Sequence, residues 1–295
     1  MKNIILSFCL IATSLTTVAQ TTQSLETQIA KITRTSKATI GVAVLDLDGA
    51  DSLFINNSTH YTMHSVFKFP LAIATLAQVD KGKLSLSQKI HIPRESLDTS
   101  TWSPMVKDFP NQDIDLTLSD LLTYTISKSD NNGCDILFRL MGGTKPVNTY
   151  IHKLGISGIA IAATEGEMRK AWNVQYTNWC TPAAMAQLLR MFYQQKLLSA
   201  ASNRFLMKIM TESQNSDKRI KGLLPPGTVV SHKTGTSDTN KKGITAATND
   251  VAIITMPSGR HIALVVYITN SPAKPAANEP VIAAIAKLVY DHYNL

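Results

Sequence analysis

Three short stretches hold residue types able to make and break an acyl bond. The first is HSVFKFPLAIATL, His64 to Leu76. A serine is a poor nucleophile at neutral pH unless a neighbour takes its proton, and Lys68 lies three residues beyond Ser65. If a helix starts near Ser65, the two share a face about 5 Å apart along the axis. The hydroxyl then stands at a helix N-terminus, where free N–H groups favour developing negative charge. Lys68 can accept a proton only when neutral, which calls for burial or a nearby cation. The spacing is weak by itself, since Ser271 and Lys274 also show it, with Pro272 between them.

The second stretch, Ser129-Asp130-Asn131, falls between two apolar helical runs. Its residues either cap the following helix, or Ser129 passes a proton to a leaving nitrogen while Asn131 offers its amide to a substrate. The third, Lys233-Thr234-Gly235-Thr236, ends a strand. Gly235 would let another molecule approach the backbone, and Lys233 with Thr234 suits a substrate carboxylate. The N–H of Thr236 could join that of Ser65 as an oxyanion hole. Standing alone, the stretch reads as a basic strand end leading into a turn.

The elements that must position these groups follow from periodicity. Residues 24–34 read as an amphipathic helix, 40–48 as a strand with a turn at Gly49, and 53–56 as its hairpin partner. From His64 to about Gln214 the apolar residues recur at helical spacing, in PLAIATLAQV, LSDLLTYTI, NGCDILFRLM and PAAMAQLLRMFYQ. Strands resume at Gly227: GTVVSHKTGT, then DVAIITM and HIALVVYIT joined by a turn at Pro257-Ser258-Gly259-Arg260. A helix over 280–293 closes the chain. The expected fold is α/β in the α+β sense. One antiparallel sheet is built from both chain ends (about 20–60 and 215–295) and flanked by helices, with an inserted all-helical part (about 61–214). A ligand cleft belongs between the two parts.

Of the 295 residues 44% are hydrophobic and 17% charged, a globular composition. Residues 1–19 read as a secretory signal, one basic residue and a short apolar run before Thr17-Val18-Ala19. That places the protein outside the cytoplasm, secreted or periplasmic, with no membrane anchor after cleavage. Two cysteines, Cys134 and Cys180, follow the signal and read as buried thiols rather than a pair. The formal charge of +8 is scattered, without aromatic interleaving, which speaks against nucleic-acid binding. His60 and His64 have the i, i+4 spacing of a metal pair, but no third ligand follows.

In this order, Ser-x-x-Lys, Ser-Asp-Asn and Lys-Thr-Gly form the motif set of class A β-lactamases and penicillin-binding proteins. From Ser24 onward the chain resembles a class A serine β-lactamase, and most of all the extended-spectrum PER and VEB type. Thr101-Trp102-Ser103-Pro104, Gln175-Tyr176, Asn178-Trp179 and Leu223-Leu224-Pro225 extend the resemblance. It implies a cofactor-free hydrolase, a monomer, acting on small-molecule β-lactams: penicillins and cephalosporins, expanded-spectrum ones included. Clavulanate-type inhibitors would acylate the same serine.

By the same resemblance Ser65 is the nucleophile, Lys68 and Ser129 move protons, and Asn131, Lys233, Thr234, Gly235 and Thr236 bind substrate. The choice of acylation base between Lys68 and the deacylating glutamate stays open. That glutamate is Glu165, with Glu167 as rival. The chain departs from the common pattern of this loop. It has Ala163, Arg169 and Asn178 where most members have an arginine, an asparagine and an aspartate, so the usual ion pair is missing and a roomier loop is expected. Arg219 either helps to bind the substrate carboxylate or is a solvated loop residue. Trp102 lies near the aromatic at the cleft mouth in that family, but as a large aromatic it is read as core and left out of the site. A DD-peptidase and a non-hydrolysing β-lactam sensor are the competing readings.

Overall fold

The computed structural model describes residues 25–214 and 217–294; the signal read over 1–19 lies outside them. A first helix, α1 (25–35), leads into β1 (Thr39–Asp46) and β2 (Ser52–Ile55). Then come β3 (Tyr61–Thr62), a one-turn 3-10 helix His64–Phe67, α2 (Lys68–Asp80), β4 (Lys89–Ile92), α3 (Pro104–Asp108) and β5 (Ile114–Thr117). Next are α4 (Leu118–Ser127), α5 (Asn131–Leu140), α6 (Thr144–Lys153), β6 (Ile159–Ala160), α7 (Glu165–Met168) and β7 (Trp179–Cys180). The rest is α8 (Pro182–Tyr193), α9 (Ala200–Thr211), β8 (Val230–Thr236), β9 (Thr245–Thr255), β10 (His261–Ser271) and α10 (Pro275–Tyr293).

Five antiparallel strands form the main sheet in the order β2-β1-β10-β9-β8, so both chain ends build it. Its faces follow from the two-residue period of a strand. Val42 and Val44 of β1, with Ile262 and Leu264 of β10, pack on one side against Leu25 and Ile29 of α1 and Ile282 and Ile285 of α10. Ala43, Leu45, Ala263, Val265 and Tyr267 face the other way into the larger core shared with α2, α4, α5 and α8. Apolar side chains on both faces make these strands near-continuous hydrophobic runs. The inserted part is not all-helical as expected. It holds a three-stranded sheet β3-β7-β6 and a two-stranded sheet β4-β5, whose members of two to four residues are too short to show a period. Cys134 and Cys180 are buried and free.

The turn before α2 is fastened to the sheet by one buried amide. Asn249 of β9 donates from Nδ2 to the carbonyls of Thr62 (2.9 Å) and Met63 (3.1 Å), while its Oδ1 accepts from the Ile268 N–H (3.2 Å). Asn249→Ala would remove three buried bonds to main-chain groups, a loss of about 3 kcal/mol. Thermal unfolding should fall by several degrees, whereas an exposed amide such as Asn111 replaced likewise should change little.

Candidate active site

The three motifs meet where the sheet abuts the inserted part. Lys68, fully buried at the start of α2, extends its ammonium among four acceptors. These are Ser65 Oγ at 2.9 Å, the Ser129 carbonyl at 2.9 Å, Asn131 Oδ1 at 2.6 Å and Glu165 Oε1 at 2.9 Å. Ser65 Oγ in turn lies 3.3 Å from Glu165 Oε1. A buried charge demands such pairing, because its desolvation otherwise costs several kcal/mol. Ser129 sits at φ 56°, in the left-handed region. That turns its carbonyl to Lys68 while its hydroxyl accepts from Lys233 Nζ at 2.8 Å. Burial, with Lys68 nearby as the next cause, drives the Lys233 amine well below its ordinary pKa.

The capping reading of the second motif holds for Asp130, while Ser129 and Asn131 line the cleft. Asp130 caps α5 through the Gly133 N–H (2.8 Å) and also holds the Met105 N–H (2.7 Å) and the Ser103 hydroxyl (2.8 Å). Asn131 spends its oxygen on Lys68 and one amide hydrogen on Thr101 Oγ1 (2.8 Å), leaving its second amide hydrogen for the cleft.

The third motif lies on β8, an edge strand. In an antiparallel pair, residues alternate between facing the neighbour and facing away. Ser237 donates its N–H to the Ala247 carbonyl (3.0 Å), so the N–H of Thr236, one residue earlier, points off the sheet. Gly235 is required by the chain's own packing. A Cβ there would stand 2.4 Å from the Met63 carbonyl and 3.2 Å from the Val66 nitrogen, in the turn that carries Ser65.

The residues matched over 24–293 fit the β-lactamase enzyme family. The chain belongs to that family. VEB-1 of Pseudomonas aeruginosa, a β-lactamase, is 45% identical over 274 residues, covering 92% of this chain and 91% of its own. The structure of the TLA-3 extended-spectrum β-lactamase superposes with a TM-score of 0.91 at 50% identity, over 93% of this chain and 100% of that one. A representative class A β-lactamase from Bacteroides cellulosilyticus gives 0.89 at 40% identity, over 93% and 98%. The protein is a class A serine β-lactamase.

In this β-lactamase the loop over 163–178 is braced without the family's common ion pair, and it is far from slack. The Asn178 amide holds Ala162 N–H (2.7 Å), Ala163 N–H (2.9 Å) and the Ala163 carbonyl (2.7 Å). Asp135 of α5 accepts from the N–H groups of Glu165 (2.8 Å) and Gly166 (2.9 Å), fixing the first turn of α7. Arg169 turns away to Asp98 (2.6 Å) and Ser100. Of the two candidate glutamates, Glu165 is 6% exposed and touches Ser65 and Lys68, whereas Glu167 is exposed and accepts the Thr164 N–H (2.8 Å) in a capping box. Asp135 and Asn249 went unseen in the sequence, and Asn178 showed there only as a lost ion-pair partner, because nothing ties a lone Asp or Asn to distant main chain.

Arg219 is no solvated loop residue. It is 3% exposed, donating to Thr236 Oγ1 (2.6 Å) and to the carbonyls of Gly235 (3.1 Å) and Asn249 (2.8 Å), with Glu279 at 3.3 Å. Trp102, read as core, is 53% exposed and lines the cleft, with Nε1 donating to the Lys128 carbonyl (3.0 Å) and Lys107 Nζ 4.5 Å above its ring. The cleft measures about 1010 Å³ and extends past Trp102, Met168 and Trp172 to Asp238 and Lys241. His60 stacks on Trp179 with ring centres 3.4 Å apart.

Burial, opposed by the two N–H donors and reinforced by Glu165, raises the Asp135 carboxyl to about 6 from an ordinary 3.8. A raised pKa means the folded state binds the proton more tightly, so this stabilising contribution is complete below about pH 4 and is lost as pH rises to about 6. Comparing unfolding free energies of the parent and Asp135→Asn across pH 4–8 should show their difference shrinking through that window and flat above it.

Proposed function

We propose that this β-lactamase works through a Ser65 acyl-enzyme released by Glu165, and that its substrates include penicillins and expanded-spectrum cephalosporins. The observation that carries this reading is the shared contact of Ser65 Oγ with Lys68 Nζ (2.9 Å) and Glu165 Oε1 (3.3 Å). Every contact of the Lys68 amine is to an acceptor, so it must first give up a proton, and Glu165 at 2.9 Å receives it. Lys68 then takes the Ser65 proton as Oγ attacks the lactam carbonyl. The oxyanion lies against the N–H groups of Ser65 and Thr236, each donor worth about 3 kcal/mol in the transition state.

As the C–N bond breaks, Ser129 gives its proton to the ring nitrogen, Lys68 replaces it, and Glu165 returns a proton to Lys68. Glu165, a carboxylate again, takes a proton from water while the hydroxide oxygen adds to the ester, and then gives that proton to Ser65 Oγ as it leaves, restoring both groups. Lys233 and Thr234 bind the substrate carboxylate, and Arg219 aids them by orienting the Thr236 hydroxyl. The cleft stands at the upper end of ligand-pocket volumes, which suits a bulky oxyimino side chain. TLA-3, half identical to this chain, is an extended-spectrum enzyme. Clavulanate-type inhibitors react at Ser65, and the protein acts as a monomer, exported to the periplasm.

Intact mass after mixing with a cephalosporin tests the reading. The parent should show a fleeting adduct, and Glu165→Ala one that persists for at least about a hundred times longer; a lasting adduct on the parent would point to a sensor or DD-peptidase. Turnover of an oxyimino-cephalosporin within about tenfold of benzylpenicillin is expected, and negligible turnover would refute the spectrum proposed.

A further inference from the structure

The residue before Ser65 has a geometry that the acylation scheme leaves unused. His64 holds φ at 45°, in the left-handed region that residues other than glycine seldom occupy. Its half-buried ring lines the cleft, and its Nε2 lies 2.6 Å from Gln175 Oε1. Gln175 is 4% exposed, and its amide nitrogen donates to the Trp172 carbonyl at 2.7 Å. The end facing His64 is therefore the oxygen, which only accepts. The His64 hydrogen must reside on Nε2. Burial lowers the imidazole pKa, against the opposing pull of Gln175, Glu165 and Asp238, which favours the neutral ring with its hydrogen on Nε2.

Two further bonds join the same short segments. Thr62 Oγ1 donates to the Gln175 carbonyl at 2.6 Å, and the Met63 N–H to the Asn178 carbonyl at 2.9 Å. Each of residues 62–64 thus holds the 175–178 stretch, which is the far end of the loop bearing Glu165. Asn178 then passes the constraint back, since its side chain grips Ala162 and Ala163 just ahead of Glu165.

We propose that His64 is a positioning residue that, through Gln175, ties the turn carrying Ser65 to the loop carrying Glu165 and so sets their spacing for deacylation. The proposal rests on the roles given to Ser65 and Glu165 above. In acylation Glu165 only takes up the proton of Lys68, with which it is already in direct contact at 2.9 Å. Hydrolysis of the ester needs a carboxylate a hundred residues away to be held at the right distance, and there a displacement of an ångström is costly.

Pre-steady-state kinetics with a chromogenic cephalosporin separate the two steps. His64→Ala and Gln175→Ala should each slow deacylation about tenfold and acylation less than about threefold. The double variant should be no slower than either single one, and His64→Gln, which keeps an N–H donor, should recover most of the loss. Equal losses in both steps, additive losses or no loss would overturn the proposal. The parent alone supplies a second readout that does not depend on a variant folding. Its 15N imidazole shifts should report a hydrogen on Nε2 of His64 at pH 6–7, and an Nδ1–H neutral tautomer, whose Nε2 cannot donate to Gln175, would refute the strap. Should Glu165→Ala hydrolyse without accumulating adduct, the role of Glu165 fails instead, whatever His64 does.

Discussion

The structure is organised around a buried ammonium that must not be left without partners. Lys68 has no access to solvent, so the four oxygen acceptors around it are a condition of folding as much as of chemistry. They come from the turn before α2, the bend between α4 and α5, the first residue of α5 and the first residue of α7. Satisfying one lysine therefore fixes three stretches of chain, around residues 65–68, 129–131 and 165, relative to one another. The distortion at Ser129 follows from the same demand, because only a left-handed bend lets one residue serve Lys68 with its carbonyl and Lys233 with its hydroxyl.

Behind this centre stands a second layer of buried charge. Lys233 and Arg219 lie on the sheet side, and Asp250 is the first attractive charge acting on both. It is fully buried, bonded to His232 Nδ1 (3.0 Å) and to the Ile220 N–H (3.2 Å). The cations that face the cleft are thus balanced by carboxylates on either side, Glu165 from the loop and Asp250 from within the sheet.

What could be read from the sequence was whatever one element displays by itself. Ser65 with Lys68, the Ser129 stretch and the Lys233 stretch each occupy a few consecutive residues, and the long strands and helices carry full periods of apolar side chains. The readings that missed depended on partners far along the chain. A glycine at 235 announces that something comes close to the backbone, but not that the visitor is the chain's own turn at Met63. Asp135, Asn178 and Asn249 act on main-chain groups 15 to 187 residues away, and an amide or carboxylate with such a task looks like any other. The small strands β3, β6 and β7 have two residues each, too few for alternation. Trp102 was set in the core by its size alone, yet it lies at the surface, held there by Lys107 and the Lys128 carbonyl.

The brace at Asn178 differs from an ion pair in one more respect. A carboxamide bonded to main-chain N–H and carbonyl groups has no net charge for mobile ions to gather around. Asn178 is fully buried besides, so neither dilute nor concentrated electrolyte has a handle on it. At its Asn178 end the loop is set by short-range contacts that ionic strength does not reach, so in a brine only the exposed Arg169–Asp98 pair on its outer side is open to screening.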